Sequence, residues 1–187
     1  MNLANCLTFL RVILAPVFFA VYFLPIADPR LAAALLWIIF VVSEITDMFD
    51  GMAARKLNQS SDFGRLFDPF ADTLMQLSCF LCFVIDGIFP AFLFLVVLYR
   101  EFGILFIRNL MLRKGISMGA RISGKIKTVG YITAAAAALL YSSLRRLDAM
   151  ESLQPVFAVV VPAIFGVSVL FSVLSFFDYL AVYRRTS

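Results

Sequence analysis

Histidine is absent from all 187 residues, which removes imidazole general bases, His-based catalytic triads and His-ligated zinc from consideration. Cysteine is nearly as scarce, with only Cys6, Cys79 and Cys82. The Cys79-x2-Cys82 pair has no second pair with which to close a zinc site. These thiols read as small buried hydrophobes, and no disulfide is implied. Charge is thin too: 15% of residues are Asp, Glu, Lys or Arg, against 63% apolar. At a mean hydropathy of +0.96, a soluble core of this size could not hide so much apolar surface. The chain therefore reads as an all-α membrane protein forming one domain over 1–187. Linkers, low-complexity segments and internal repeats are missing. So is a short hydrophobic core with a small-residue cleavage site at the amino terminus, and the first apolar run is expected to be retained.

What is present is a series of hydrophobic runs. A hydrocarbon core of about 30 Å needs roughly 20 helical residues. Six runs meet that length, at about 8–26, 31–51, 66–86, 90–111, 124–144 and 155–181, with room for a short interfacial helix over residues 1–7. Pro155 and Pro162 are placed to bend or initiate the last run. The alanines over 134–138 favour helix and let neighbouring helices approach closely.

Six spans put both termini on one side. That side would carry Arg11, Arg55, Lys56, Arg65, Arg113, Lys114, Arg121, Lys125, Lys127, Arg184 and Arg185, whereas the other would carry Arg30, Arg145 and Arg146. The asymmetry predicts cytoplasmic termini in the cell membrane. The net charge of +4 suits anionic headgroups or soluble phosphates. It does not suit nucleic acid, because the basic residues are scattered with no soluble module to present them.

Against this apolar background stands a run of acids: Asp47, Asp50, Asp68 and Asp72 in the frame D-x2-D-G-x2-A-R-x8-G-x3-D-x3-D. An Asp at mid-bilayer costs about 2.5–3.5 kcal/mol, so four unpaired ones would cost roughly 10 kcal/mol and call for a cationic companion. Asp47 and Asp50 are expected near the end of the second helix, about 60° apart around its axis. Asp68 and Asp72 share one face at the start of the third, with Gly64 a turn earlier on the same stripe. Hard oxygen ligands of this kind suit Mg²⁺ or Mn²⁺, and two such ions could share the site. Gly51 and Ala54 keep the second helix thin where a nucleotide could lie against its backbone. Arg55 offers a charge-assisted contact to phosphate. The plainer reading takes the acids as boundary residues complementing helix dipoles, with Pro69 marking a helix start. It accounts for Asp68 and Asp72 but not for Asp47 and Asp50.

The frame resembles the signature of the CDP-alcohol phosphatidyltransferases, integral membrane enzymes of phospholipid synthesis. Every fixed position is met: Asp47, Asp50, Gly51, Ala54, Arg55, Gly64, Asp68 and Asp72. The stretches Asn5–Arg11, Ala54–Gln59, Arg100-Glu101 and Gly124–Thr128 are similar to the bacterial branch that makes phosphatidylglycerophosphate. The resemblance spans about residues 1–130. It implies that the first three aspartates chiefly hold metal and the diphosphate of CDP-diacylglycerol. Asp72 would help bind metal and act as general base toward the acceptor hydroxyl. A carboxylate near its usual pKa of about 4 is a weak base, so much of the rate would come from charge stabilisation and in-line positioning. A homodimer is implied by the resemblance alone.

A phosphate-bearing acceptor needs cations. Arg108, Arg121 and Lys125 are the candidates for that phosphate. Arg100 and Lys127 have second readings, the first as a partner of Glu101 or Glu44, the second as a snorkelling side chain. These cations favour glycerol 3-phosphate over an uncharged alcohol. An inositol phosphate or amino alcohol acceptor, a cation transporter and a non-catalytic scaffold are the competing readings. Glu44, outside the frame, fits an outer acceptor or a helix–helix contact. Asp178 with Tyr179 and Arg184-Arg185 reads as an interfacial anchor.

Overall fold

A computed structural model describes residues 3–57, 62–113 and 122–186; the side chains of 3–5, 50–57, 62–63, 65–66, 122–123, 182 and 185–186 lie outside the description. Among the described residues there are six α-helices, one 3-10 turn and no strand. All six helices expected from the hydrophobic runs are present. They are α1 (Leu3–Phe23), α2 (Pro29–Leu57), α3 (Asp62–Ile85), α4 (Ala91–Arg113), α5 (Ile122–Arg146) and α6 (Gln154–Thr186). By length and composition, four of them can cross a bilayer, through the apolar stretches Cys6–Phe23, Pro29–Phe49, Phe67–Ile85 and Glu151–Ala181. The other two, α4 and α5, are 23 and 25 residues long. They are more polar because they carry charged side chains that pair with one another.

Three boundaries differ from expectation. No separate interfacial helix precedes the first span, since α1 is continuous from Leu3. Asp47 and Asp50 are not at the end of α2, which runs on to Leu57. Asp68 and Pro69 are not at the start of α3, which begins at Asp62 and holds Pro69 inside it. A proline there has no N–H for the carbonyl four residues back, a defect that costs about 3 kcal/mol in an ordinary helix. The segment 58–61 between these helices lies outside the description.

The chain packs as two compact units, Met1–Cys82 and Phe83–Ser187. In the first, α2 starts on a capping pair. The Asp28 carboxylate accepts from the Arg30 N–H at 2.8 Å, and Pro29 takes the position where a missing N–H is harmless. Ala15, Phe18, Tyr22, Leu36 and Phe40 are buried where α1 meets α2, and Ala71, Met75, Cys79 and Phe80 are buried on α3. Cys79 and Cys82 are buried free thiols, as expected, and Cys6 is free and exposed.

In the second unit, the end of α3 closes on Gly87 at φ +75. The N–H of Ile88 bonds to the Phe83 carbonyl at 2.8 Å and that of Gly87 to Val84 at 3.0 Å, a left-handed cap that glycine adopts at no steric cost. Asp148 ends α5 in the same way, at φ 46, with Ala149 N–H on the Leu144 carbonyl. The alanines of α5 behave as expected: Ala134, Ala135 and Ala138 are buried. At Gly130 a side chain would meet Ser168 Oγ at 3.0 Å, so α5 and α6 approach almost backbone to backbone. Pro155 lies in the first turn of α6 and Pro162 within it.

A buried polar network ties α4, α5 and α6 together. Arg100 gives Nη1 to Glu101 at 2.8 Å, Nη2 to Ser175 Oγ at 3.0 Å and Nε to the Ser172 carbonyl at 3.2 Å. Lys127 reaches the same Glu101 oxygen at 2.9 Å and lies 4.6 Å from the Tyr131 ring centre. Tyr131 donates to Ser172 Oγ at 2.5 Å. With Arg100 and Glu101 both buried, removing the shared acid would strand two cations. Glu101→Gln is therefore expected to destabilise the protein by about 3–5 kcal/mol. Thermal unfolding in detergent would show this as a lowered midpoint; an unchanged midpoint would mean that the network contributes nothing to stability.

Candidate functional site

The acid cluster is assembled within the first unit from three helices. Asp47 comes from α2, and Asp68 and Asp72 come from α3, where with the buried Gly64 they form a stripe of four-residue steps. The third helix is α1. Its Arg11 donates through Nη1 to Asp47 Oδ1 at 2.7 Å, and the same nitrogen forms an ion pair with Asp72 Oδ1. One turn earlier, the Thr8 hydroxyl donates to Asp68 Oδ1 at 2.6 Å. The ring of Phe9 lies 4.8 Å from that of Phe67.

The burial of these groups is unequal. The Arg11 side chain is 2% exposed, whereas those of Asp47 and Asp72 keep 46% and 44%. The guanidinium lies behind the acids, and the carboxylates open outward. Glu44, half-buried one turn before Asp47, lies within electrostatic reach of Asp47 and Arg11.

A companion cation for the acids was expected from their cost, and Arg11 is such a cation. Sequence reasoning counted it toward orientation and, together with Thr8, within the family-like stretch Asn5–Arg11, but gave neither a role in the site. The signal was available, because Arg11 is the one Lys or Arg before Arg30. The dipole reading also weakens here. Asp68 and Asp72 lie well inside α3, and Asp47 well inside α2, beyond the last turn in which a helix dipole acts strongly.

The side chains of Asp50, Gly51, Ala54 and Arg55 lie outside the described residues, although their backbone continues α2. Among the described residues no group of three His, Cys, Asp or Glu side chains forms a metal cluster by itself. The donor set nonetheless fits a hard divalent cation. It consists of carboxylate oxygens, two of which already meet at a single nitrogen, and their outward surfaces are open.

The acceptor candidates belong to the second unit. Arg100 and Lys127 are held in the Glu101 network, and the partner of Arg100 is Glu101 rather than Glu44. Arg108 donates to the Tyr179 hydroxyl at 3.3 Å and stacks over that ring at 5.6 Å. Its Nε is buried without a hydrogen-bond partner among the described residues. Lys125 is exposed, and Arg121 lies outside the description. Tyr179 corrects the anchor reading of its segment. It is 2% exposed and turned inward, and a side chain at Gly124 would meet its hydroxyl at 3.3 Å. Asp178 beside it is exposed.

Comparison with known proteins gives the family. A family model described as CDP-alcohol phosphatidyltransferase matches residues 1–174. A CDP-diacylglycerol–glycerol-3-phosphate 3-phosphatidyltransferase of Treponema pallidum is 36% identical over 197 aligned positions, covering 98% of this chain and 89% of the relative. A protein of the same name from Bacillus subtilis is 33% identical over 150, covering 75% and 78%. In Escherichia coli K12 another is 47% identical over 74, covering 40% of this chain and 39% of its own. With the full signature and a match over nearly its whole length, the chain belongs to the CDP-alcohol phosphatidyltransferase family of membrane enzymes.

Proposed function

We propose that this chain transfers the phosphatidyl group of CDP-diacylglycerol to glycerol 3-phosphate, giving phosphatidylglycerophosphate and CMP. The observation that carries the reading is the meeting of Asp47 and Asp72, from different helices of the signature, at one nitrogen of Arg11. The glycerol 3-phosphate acceptor is supported by the names of the relatives. It is supported also by the cations Arg108 and Lys125 in this chain.

Asp47, Asp50, Asp68 and Asp72 would hold Mg²⁺ or Mn²⁺, two ions in all, which when bound neutralise the diphosphate and the departing CMP oxygen. The remaining steps belong to the chain's own groups. Gly51, Ala54 and Gly64 leave backbone open to the nucleotide, and Arg55 pairs with phosphate. The acceptor hydroxyl attacks the lipid-bearing phosphorus as its proton passes to Asp72. The new P–O bond forms as the bond to the CMP oxygen breaks. Arg108, Arg121 and Lys125 hold the acceptor's phosphate, whereas Arg100 and Lys127 are committed to Glu101. Cytoplasmic termini, a cytoplasmic site in the cell membrane and a homodimer complete the reading.

The direct test is purified protein with CDP-diacylglycerol, Mg²⁺ or Mn²⁺ and a panel of acceptors, scoring CMP. Release is expected with glycerol 3-phosphate and not with serine, inositol or inositol phosphate, and chelation should abolish it. CMP formation with another acceptor alone, or undiminished by chelator, would overturn the reading. Asp72→Asn is expected to lower CMP release by about 10²–10⁴-fold in protein that still folds, the usual range for loss of a general base, with a lowered unfolding midpoint because buried Arg11 keeps Asp47 but loses the Asp72 charge. Arg108→Gln and Lys125→Gln should each raise KM for glycerol 3-phosphate roughly tenfold or more, as expected for a lost charged hydrogen bond. KM for CDP-diacylglycerol should stay nearly constant. Equal effects on both substrates would remove these residues from the acceptor pocket.

A further inference from the structure

We infer that the Thr8-x2-Arg11 turn of α1 is a positioning element of the carboxylate site, fixing how Asp47, Asp68 and Asp72 present themselves to a divalent cation. This rests on the metal-dependent reading above and adds two residues that lie outside the aspartate signature.

Thr8 and Arg11 are one helical turn apart and so share a face of α1. Both are almost fully buried. From that single turn they contact three acids on two other helices, reaching Asp68 Oδ1, Asp47 Oδ1 and Asp72 Oδ1. For Asp47 and Asp72, nearly half of the side-chain surface stays open. A carboxylate that accepts from a buried, helix-borne donor has fewer orientations open to it than a free one.

Charge gives the same assignment. Asp47 and Asp72 repel one another, and two bare carboxylates would not settle so close together. A guanidinium between them allows the approach before any divalent ion arrives. Its positive charge by itself opposes metal binding, because like charges at close range raise the energy of both. Its geometry favours binding, because it preorganises the ligands. Outer partners that orient metal ligands typically contribute 10–100-fold in affinity, and the inference is that this second effect wins.

The opposition of sign supplies the test. Mn²⁺ binding would be measured by electron paramagnetic resonance on the full chain in detergent, after metal removal, with thermal unfolding in parallel. Thr8→Val removes a hydroxyl without altering charge and is expected to weaken Mn²⁺ binding about tenfold or more, with Thr8→Ser restoring it. Arg11→Gln is expected to weaken binding as well, although loss of a neighbouring cation would by charge alone strengthen it. Unchanged or tighter Mn²⁺ binding in the folded variants would overturn the inference and leave Thr8 and Arg11 as helix contacts only. Should Arg11→Gln fail to fold, the Thr8→Val and Thr8→Ser pair decides by itself. A wild-type chain that binds no Mn²⁺ would overturn the metal reading and this inference together, whereas wild-type binding with unmoved variants overturns only the latter.

Discussion

A guanidinium with almost no surface of its own, held between carboxylates from two helices, is the interaction around which Met1–Cys82 is organised. An arginine buried on an apolar helix is tolerated only when its charge is answered. Here the answer comes from Asp47 and Asp72, and in turn neither acid faces the full cost of an unpaired charge in a low-dielectric setting. The same contacts join α1 to both signature helices. Folding of this unit and formation of its site are therefore one event, because the groups that meet in the site also hold the helices together.

Phe83–Ser187 follows the same rule with the signs reversed. There one acid, Glu101, serves two cations, Arg100 and Lys127, and hydroxyls of Tyr131, Ser172 and Ser175 take up remaining polar capacity. Comparing the two networks separates structural charge from charge available to ligands. Arg100 directs its three kinds of nitrogen into the helix bundle. Arg108 keeps a nitrogen without a hydrogen bond among the described residues and lies over Tyr179, 5.6 Å from the ring centre. The outward faces of Asp47 and Asp72 are the counterpart in the first unit.

Much of this was legible in the sequence, for reasons that can be named. Long apolar runs gave six helices because length and hydropathy suffice for that inference. The aspartate frame gave the site because acids are costly among lipid-facing residues and so stand out. Boundaries were less legible. α2 continues past Asp50 to Leu57 through Arg55 and Lys56, where hydropathy falls but helix propensity does not, and Pro69 reads as a start although α3 absorbs it. Partner choice was least legible. Arg11 lies 36 residues from Asp47, and nothing periodic links them. Only the requirement that buried charge be compensated could have paired them. For Tyr179, the neighbouring Asp178 and arginines pointed outward, but the hydroxyl finds Arg108 on the buried side.

The apolar runs of the sequence place the acids near their charged ends. In the sequence, residues 31–43 and 74–85 carry no charge, whereas Asp47 and Asp50 are followed by Arg55 and Lys56 and Asp68 is preceded by Asp62 and Arg65. Each acid pair therefore lies at the edge of a hydrophobic run rather than at its middle, and the cost of holding these charges is smallest there. A reaction between a lipid diphosphate and a water-soluble alcohol needs that depth. Deeper, the soluble partner and its product would have to enter hydrocarbon; farther out, the lipid phosphorus would have to leave its bilayer. Arg11 resolves the remaining conflict, because an apolar helix, α1 with its stretch Cys6–Phe23, supplies the positive charge that the acids of α2 and α3 share. The acids can thus be drawn together by a buried guanidinium while nearly half of the Asp47 and Asp72 side-chain surface stays open.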